Sequence, residues 1–217
     1  MRLTPSQIAN LENFLQKTRD DIYPEPPSPE HTRLTYKLFN YCLNKIDLPP
    51  KAKILDVGCG QGIALEMFKE KGYLPVGITL GQEDLNACRA QGYEVYEMDQ
   101  SFLEFGDAEF DFIWCRHCIE HSIFPYYTLS EFYRVLKPEA YLYIEVPAPD
   151  TCTTHQSNPN HYSVLGKSMW YQLIKRAGFK MIDNADIKFP IQVKSRETGE
   201  IIDGIDNYWA FISKKNN

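Results

Sequence analysis

Apolar and polar positions follow two different periods along this chain, and the change between them falls near residue 50. Over residues 6–18 the apolar side chains Ile8, Leu11, Phe14 and Leu15 recur at helical spacing, with Ser6 placed as a cap, so a helix is predicted there. The stretch YPEPPSP at 23–29 contains four prolines, which lack an amide donor and do not fit a helix interior; it reads as an extended connector. A second helix is predicted over 30–45.

From Lys51 onward the pattern becomes short apolar runs separated by helical stretches, which is how alternating β and α units of a parallel sheet look in sequence. Strands are predicted at 53–57, 74–79, 94–98, 110–115 and 141–146, with helices between them at 63–71, 83–91 and 126–136. After a loop over 147–163, the segment SMWYQLIKRAGF reads as a helix closed by Gly178, with Trp170, Tyr171 and Phe179 facing the core. Strands at 180–189 and 207–213 complete the set. No internal repeat is visible.

The composition supports a real core. The chain has 217 residues, 43% of them hydrophobic and 24% charged, which suits one folded domain with a modest extension. The division expected is an N-terminal helical extension over 1–50 and a sheet domain over 51–217, with the extension packing on the sheet. A formal net charge of -6 and a pI near 5.4 argue against a nucleic-acid partner, since the surface as a whole repels polyphosphate. The first residues show no apolar signal core, and no run approaches the roughly 18 apolar residues of a membrane span, so a cytoplasmic protein without a membrane partner is expected. The six cysteines are expected to be reduced, and Cys115 and Cys118 form a lone CxxC without a second pair at zinc spacing; they read as small buried residues.

The densest chemistry lies at Ile54 to Gly62, ILDVGCGQG, where a buried strand runs into a glycine-rich turn that opens a helix. Glycines let the backbone turn sharply and let a ligand approach without meeting a Cβ. Dinucleotide loops use the same physics with GxGxxG spacing, whereas the spacing here is GxGxG with Asp56 before it. A carboxylate at that strand end suits a ligand that carries an amino group and a sulfonium and no pyrophosphate.

At this point the sequence strongly resembles the class I methyltransferases, whose first motif it matches throughout. The later runs FDFIWCRHCIEHS and FYRVLKPEAYLYIEVP resemble the fourth-strand and fifth-strand signatures of the same superfamily, with Lys137-Pro-Glu-Ala140 where KPGG is usual. The resemblance covers 51–147 closely and extends loosely to Phe179. It implies an α/β fold with a seven-stranded, mostly parallel twisted sheet flanked by helices, its last strand antiparallel. It also implies S-adenosylmethionine as cofactor and S-adenosylhomocysteine as product. The implied cofactor contacts are Asp56, Gly58, Cys59, Gly60, Gly62, Cys115 and His117, with Asp99 and Gln100 after the third strand. The family's acidic ribose contact at the end of the second strand is replaced here by Thr79 in GITLGQED, so Thr79, Leu80 and Gln82 are expected to serve. Glu83 and Asp84 arrive at the next helix start, where they also suit the helix dipole.

Ligands of open α/β sheets bind beyond the carboxyl ends of the strands, and the segment after Trp114 begins at such an end. His117, Glu120 and His121 stand at i, i+3 and i+4, so on a helix they would share one face. A histidine titrating near neutrality can take the proton of a methyl acceptor, which makes His117, His121, His155 and His161 the catalytic candidates. The same residues permit an alternative in which His117, Glu120 and His121, with His161 or His155, hold a divalent metal. ExxEH marks metal-dependent and quinone relatives, and the first position here is His, so the metal-free reading leads. A structural reading stands beside each: Glu120 and His121 pinning their own segment, Asp99 capping a turn, His155 and His161 as loop residues. The leading function is methylation of an oxygen or nitrogen of a small molecule, against a non-catalytic S-adenosylmethionine-binding protein and a nicotinamide oxidoreductase.

Overall fold

The computed structural model describes residues 2–19, 29–194 and 199–216. Its strands are β1 (Lys53–Val57), β2 (Leu74–Thr79), β3 (Glu94–Glu97), β4 (Phe110–Arg116), β5 (Leu136–Pro147), β6 (Phe179–Lys194) and β7 (Ile201–Lys215). They form one seven-stranded sheet in the order β3-β2-β1-β4-β5-β7-β6. Neighbours from β3 to β5 pair in parallel, and β7 runs antiparallel to both β5 and β6. The helices are α1 (Pro5–Arg19), α2 (Pro29–Leu43), α3 (Ile63–Glu70), α4 (Gln82–Ala90), α5 (Pro125–Val135) and α6 (Lys167–Arg176). No helix among the described residues is long and apolar enough to cross a membrane.

The central strands β1, β4 and β5 are apolar on both faces, so each face needs a cover. Leu55, Val57, Ile113, Leu142 and Ile144 pack with Leu129, Phe132 and Val135 of α5 and with Trp170 and Ile174 of α6. Their neighbours in the alternation, Ile54, Phe112, Trp114 and Tyr143, pack on the opposite face with Leu38 and Phe39 of α2 and Met67 and Phe68 of α3. Each large side chain buried this fully contributes on the order of 2–3 kcal/mol. Trp114 and Tyr143, partners in the β4–β5 register, stack with ring centroids 4.1 Å apart. That stack steadies the strand ends that carry the site.

Several local expectations change. Thr4, and not Ser6, caps α1: the Gln7 N–H donates to Thr4 Oγ1 at 3.3 Å, and the Thr4 N–H donates to Gln7 Oε1 at 2.9 Å. This capping box starts the helix two residues earlier, with Pro5 at its first position. Of the proline-rich connector expected at 23–29, residues 23–28 lie outside those described, and Pro29 opens α2. β5 begins at Leu136, because Lys137-Pro-Glu-Ala continues the pairing with β4 across a register irregularity, with Glu139 at φ 63°. β6 and β7 run to 16 and 15 residues, since they continue to pair with each other to Lys194↔Ile201 after β5 has ended at Pro147↔Tyr208. Trp170 and Phe179 are core residues, whereas Tyr171 stands on the outer face of α6 and is exposed.

Candidate functional site

β1 delivers the chain to the carboxyl edge of the sheet, where it turns through Gly58, Gly60 and Gly62 at φ 72°, 48° and 90°, all in the left-handed region. The N–H groups of Gly58 and Cys59 both donate to the Ile78 carbonyl at 3.0 Å, which ties the turn to the end of β2. A Cβ on Gly58 would sit 2.6 Å from Cys118 Sγ, whereas nothing lies within 4 Å of one on Gly60. Gly58 is therefore demanded by packing and Gly60 leaves its backbone open. Both line a cleft of about 310 Å³, a size suited to a small ligand.

The β2 and β3 side of this cleft is made from short-range turns. Thr79 Oγ1 accepts from the Gly81 N–H at 3.1 Å, and Asp99 Oδ1 accepts from the Ser101 N–H at 2.7 Å. Gln100 donates through Nε2 to the Cys118 carbonyl at 2.9 Å, while its Oε1 is buried without a partner among the described residues. Asp84, in the first turn of α4, turns back into the cleft wall and is buried there; its Oδ2 would lie 3.0 Å from a Cβ on Gly81. This aspartate supplies a carboxylate at the place where Thr79 stands at the strand end.

The β4 and β5 side is made from charged side chains. Glu145, buried in β5, accepts from Arg116 Nε at 3.1 Å, from His117 Nε2 at 2.7 Å and from the Tyr143 hydroxyl at 2.8 Å. Burial alone would raise the Glu145 pKa; Arg116, His117 and Tyr143 outweigh it and hold the carboxyl at about 2. Asp56 has the opposite balance. Burial pushes it up to about 7 against a weaker pull from Arg116, and its Oδ2 has no hydrogen-bond partner among the described residues.

The run after β4 is not the helix that the His-x-x-Glu-His spacing suggests. His117 takes φ 51°, its N–H donates to the Glu145 carbonyl at 3.0 Å, and only a 3-10 turn follows at Ile119–His121. His117 therefore leaves the face shared by Glu120 and His121 and stacks on Tyr208, with centroids 4.2 Å apart. Glu120 and His121 are joined instead by His161 from the loop after β5, and ligand atoms of these three lie within 4.8 Å of one another. That loop is stitched in place: Asn160 accepts from His121 Nδ1 at 3.0 Å, the Ser163 N–H donates to the Glu120 carbonyl at 2.9 Å, and Ser163 Oγ donates to the Ser122 carbonyl at 2.7 Å. His155 sits deeper, donating through Nε2 to Asp206 of β7 at 3.0 Å and stacking on His161 at 5.9 Å. Asp206 also accepts from the Thr153 hydroxyl at 2.7 Å. Burial works against its charge, but His155 and Thr153 hold its pKa down at about 2.

Of the predicted site residues, Gly58, Gly60, Thr79, Leu80, Asp99, Gln100, His117 and His121 line the cleft. Others are placed elsewhere for steric reasons. Cys115 lies inside the core, Cys59 packs its sulfur toward Gly77, and a Cβ on Gly62 would face Cys88 and Tyr93 behind the turn. Gln82 donates to Asn86 on the outer side of α4, and Asp56 lies beneath the turn. His155 and His161 do not line the cleft: His161 packs on His121, and His155 packs on His161 and on Tyr208, which stacks on His117. Sequence reasoning did not single out Arg116, Glu145 or Asp206. A carboxylate inside each of two otherwise apolar strands, IEVP and IDNYWAF, was the available signal.

The cradle suits an S-adenosyl amino acid better than a dinucleotide. Asp84 and Asp99 line the cleft with the buried Gln100, whose Oε1 has no partner among the described residues, so two carboxylates and an amide oxygen are placed to meet an ammonium.

A family model described as a methyltransferase domain matches residues 29–188. The chain is 35% identical over 101 residues to a ubiquinone biosynthesis O-methyltransferase of Hahella chejuensis, a match that covers 43% of this chain and 42% of that protein. It is 27% identical over 188 residues to a glycine/sarcosine/dimethylglycine N-methyltransferase of Actinopolyspora halophila, covering 79% of this chain and 33% of that one. The chain spans less than half the length of these curated relatives. Among solved structures, a SAM dependent methyltransferase from Archaeoglobus fulgidus superposes with a TM-score of 0.65 at 21% identity, over 85% of this chain and 92% of that one. This last likeness shows a shared fold.

Proposed function

We propose, since this chain belongs to the methyltransferase domain family and so takes S-adenosylmethionine as its cofactor, that it methylates an oxygen or nitrogen of a small molecule. The observation that carries this reading is the meeting, in one cleft, of an open glycine turn with His117 and His121. Bound S-adenosylmethionine supplies an electrophilic methyl group. The protein must then align the acceptor for in-line displacement and take its proton.

His121 suits the second task. Its Nδ1 faces a carbonyl, which only accepts, so Nδ1 carries the hydrogen and Nε2 is the basic nitrogen. His117 is held by Glu145 through Nε2 and by the ring of Tyr208, which suits it to shape the wall beside the acceptor. His161 and His155 fix His121 from behind, with Asp206 anchoring His155. Gly58, Gly60, Asp56, Thr79, Leu80, Asp84, Asp99 and Gln100 are assigned to the cofactor. Three features favour a small acceptor: the size of the cleft, the acidic chain, and the names of the relatives, one an O-methyltransferase and one an N-methyltransferase.

The test combines calorimetry of S-adenosylhomocysteine with transfer of labelled methyl groups to a panel of phenols, catechols and amines. His121→Ala is expected to lower turnover by about 100-fold or more with cofactor affinity changed less than about twofold. Absence of S-adenosylhomocysteine binding would sink the proposal, and equal loss of binding and turnover would remove His121 from the proton-taking role.

A second reading is favoured by the convergence of Glu120, His121 and His161. Two imidazoles and a carboxylate suit a divalent cation, which would hold an acceptor oxygen as its anion. His117 plays no part in that set. Activity that survives EDTA unchanged removes this reading; loss on EDTA with recovery on adding back the cation supports it.

A further inference from the structure

Arg116 is the last residue of β4, and its side chain, 13% exposed, lines the cleft. Its guanidinium is only partly used. Nε donates to Glu145 at 3.1 Å, whereas Nη2 is buried with no hydrogen-bond partner among the described residues. A buried donor that carries charge and lacks an acceptor is costly, so its presence in the wall calls for a ligand that supplies one.

No described neighbour is placed to supply it. Glu145 is already engaged by three donors, Arg116 Nε, His117 Nε2 and the Tyr143 hydroxyl. Asp56 feels the field of Arg116 but forms no ion pair with it among the described residues. The missing acceptor must then come from a molecule in the cleft. A carboxylate matches the planar edge of a guanidinium. A monoanion also suits a wall that carries Asp84 and Asp99, which would repel a dianionic phosphate more strongly.

The place of Arg116 in the wall says which ligand brings the carboxylate. Arg116 and His117 are chain neighbours held by the same Glu145, on the side of the cleft where His117 shapes the acceptor wall and His121 takes the acceptor's proton. The glycine turn and the turns at Thr79 and Asp99, which serve the cofactor, form the other side.

We propose that Arg116 binds a carboxylate of the methyl acceptor, so that the small molecule methylated is a carboxylic acid that also carries the reacting oxygen or nitrogen. The inference rests on the reading of the cleft as the site of methyl transfer to a small molecule. Glu145 fixes the guanidinium through Nε, so the acid meets a donor already held in place and loses little on being ordered there.

The test is transfer of labelled methyl groups by the full chain to matched pairs that differ only in carboxylate against carboxamide: hydroxybenzoates with hydroxybenzamides, and sarcosine with sarcosinamide. A carboxylate raises the pKa of a nearby phenol or amine, so the amide has more of its nucleophile deprotonated and a preference for the acid reports binding. At least one acid is expected to exceed its amide by about 10- to 100-fold in kcat/KM. Arg116→Gln should bring that ratio close to one, and Arg116→Lys should restore part of it, as a point charge does in place of a fork. S-adenosylhomocysteine affinity that changes less than about threefold, read by calorimetry, shows that the variants are folded. A panel in which no acid exceeds its amide overturns the assignment, and so does a ratio that survives in Arg116→Gln. A fall in S-adenosylhomocysteine affinity as large as the fall in the ratio gives Arg116 to the cofactor and overturns it too. Each of these results leaves the cofactor site standing, whereas wild-type protein that binds no S-adenosylhomocysteine removes both readings.

Discussion

The two halves of the cleft are built by different means. On the β1–β2 side the surface is mainly backbone: three left-handed glycines, two N–H groups tied to Ile78, and the local turns at Thr79 and Asp99. On the β4–β5 side it is side chains: Glu145 gathers Arg116, His117 and Tyr143, while Asp206 gathers His155 and Thr153. A backbone surface is sensitive to any added Cβ and indifferent to most charges. A side-chain surface is the reverse, since its shape follows from which charges are buried together. The two buried carboxylates show the contrast, for Glu145 is surrounded by donors and held near 2, whereas Asp56 is buried with an oxygen unpaired and rises to about 7.

The largest effect should come from the side-chain half. Glu145→Gln leaves Arg116 buried beside a neutral amide, and breaking a buried network of this kind costs about 3–5 kcal/mol. Urea unfolding near neutral pH reads this directly, and a loss under about 1 kcal/mol would show that Arg116 finds another partner. The pH dependence follows in sign. A Glu145 pKa depressed from 4.5 to about 2 gives stability that is present above about 4.5 and lost as the pH falls toward 2. The variant should lose that part of the acid limb.

A smaller effect is expected in the backbone half. Gly58→Ala should cost about 100-fold in S-adenosylhomocysteine affinity, because the methyl meets Cys118 while φ stays at 72°. Gly60→Ala meets no neighbour within 4 Å and should cost about tenfold from backbone strain alone. Equal losses at the two glycines would mean that the turn relaxes and that Cys118 does not set its shape.

The smallest effect sharpens the contrast between the carboxylates. The Asp56 pKa is raised, so its contribution to stability is complete below about 3.8 and declines as the pH rises through about 7. A ligand ammonium favours the charged form, so binding below about pH 7 should release a proton. S-adenosylhomocysteine affinity is then expected to fall about tenfold between about pH 8 and about pH 6. Calorimetry in buffers of different ionisation enthalpy would detect the proton, and Asp56→Asn should abolish the slope. A slope that persists in the variant points to another group.

The fold was readable because each unit carries its own signal. Apolar runs ending in glycine or in a helix cap gave the β–α alternation, and β1 and β2 run over the residues expected. The ends of β6 and β7 were not readable, since their outer halves pair with each other and expose Ile201 and Ile205, so burial does not pattern them. Within the site, the contiguous glycine turn was legible, whereas the grouping of the histidines was not. The i, i+3, i+4 spacing of His117, Glu120 and His121 implied one helical face, and the left-handed backbone at His117 undid it. Sequence spacing carries no information about a φ value that is imposed by a carbonyl and a carboxylate 28 residues away.

By itself the sequence determined the layered α/β fold, the edge of the sheet that carries the candidate site and the backbone of the glycine turn, because periodicity and glycine requirements act over neighbouring residues. Only the tertiary structure decided which charges meet. Glu145 with His117, Asp206 with His155, and His161 with Glu120 and His121 are pairings across sheet and loop. Their geometry depends on strand order and on how the loop after β5 rests against β7, and neither leaves a local trace in the chain.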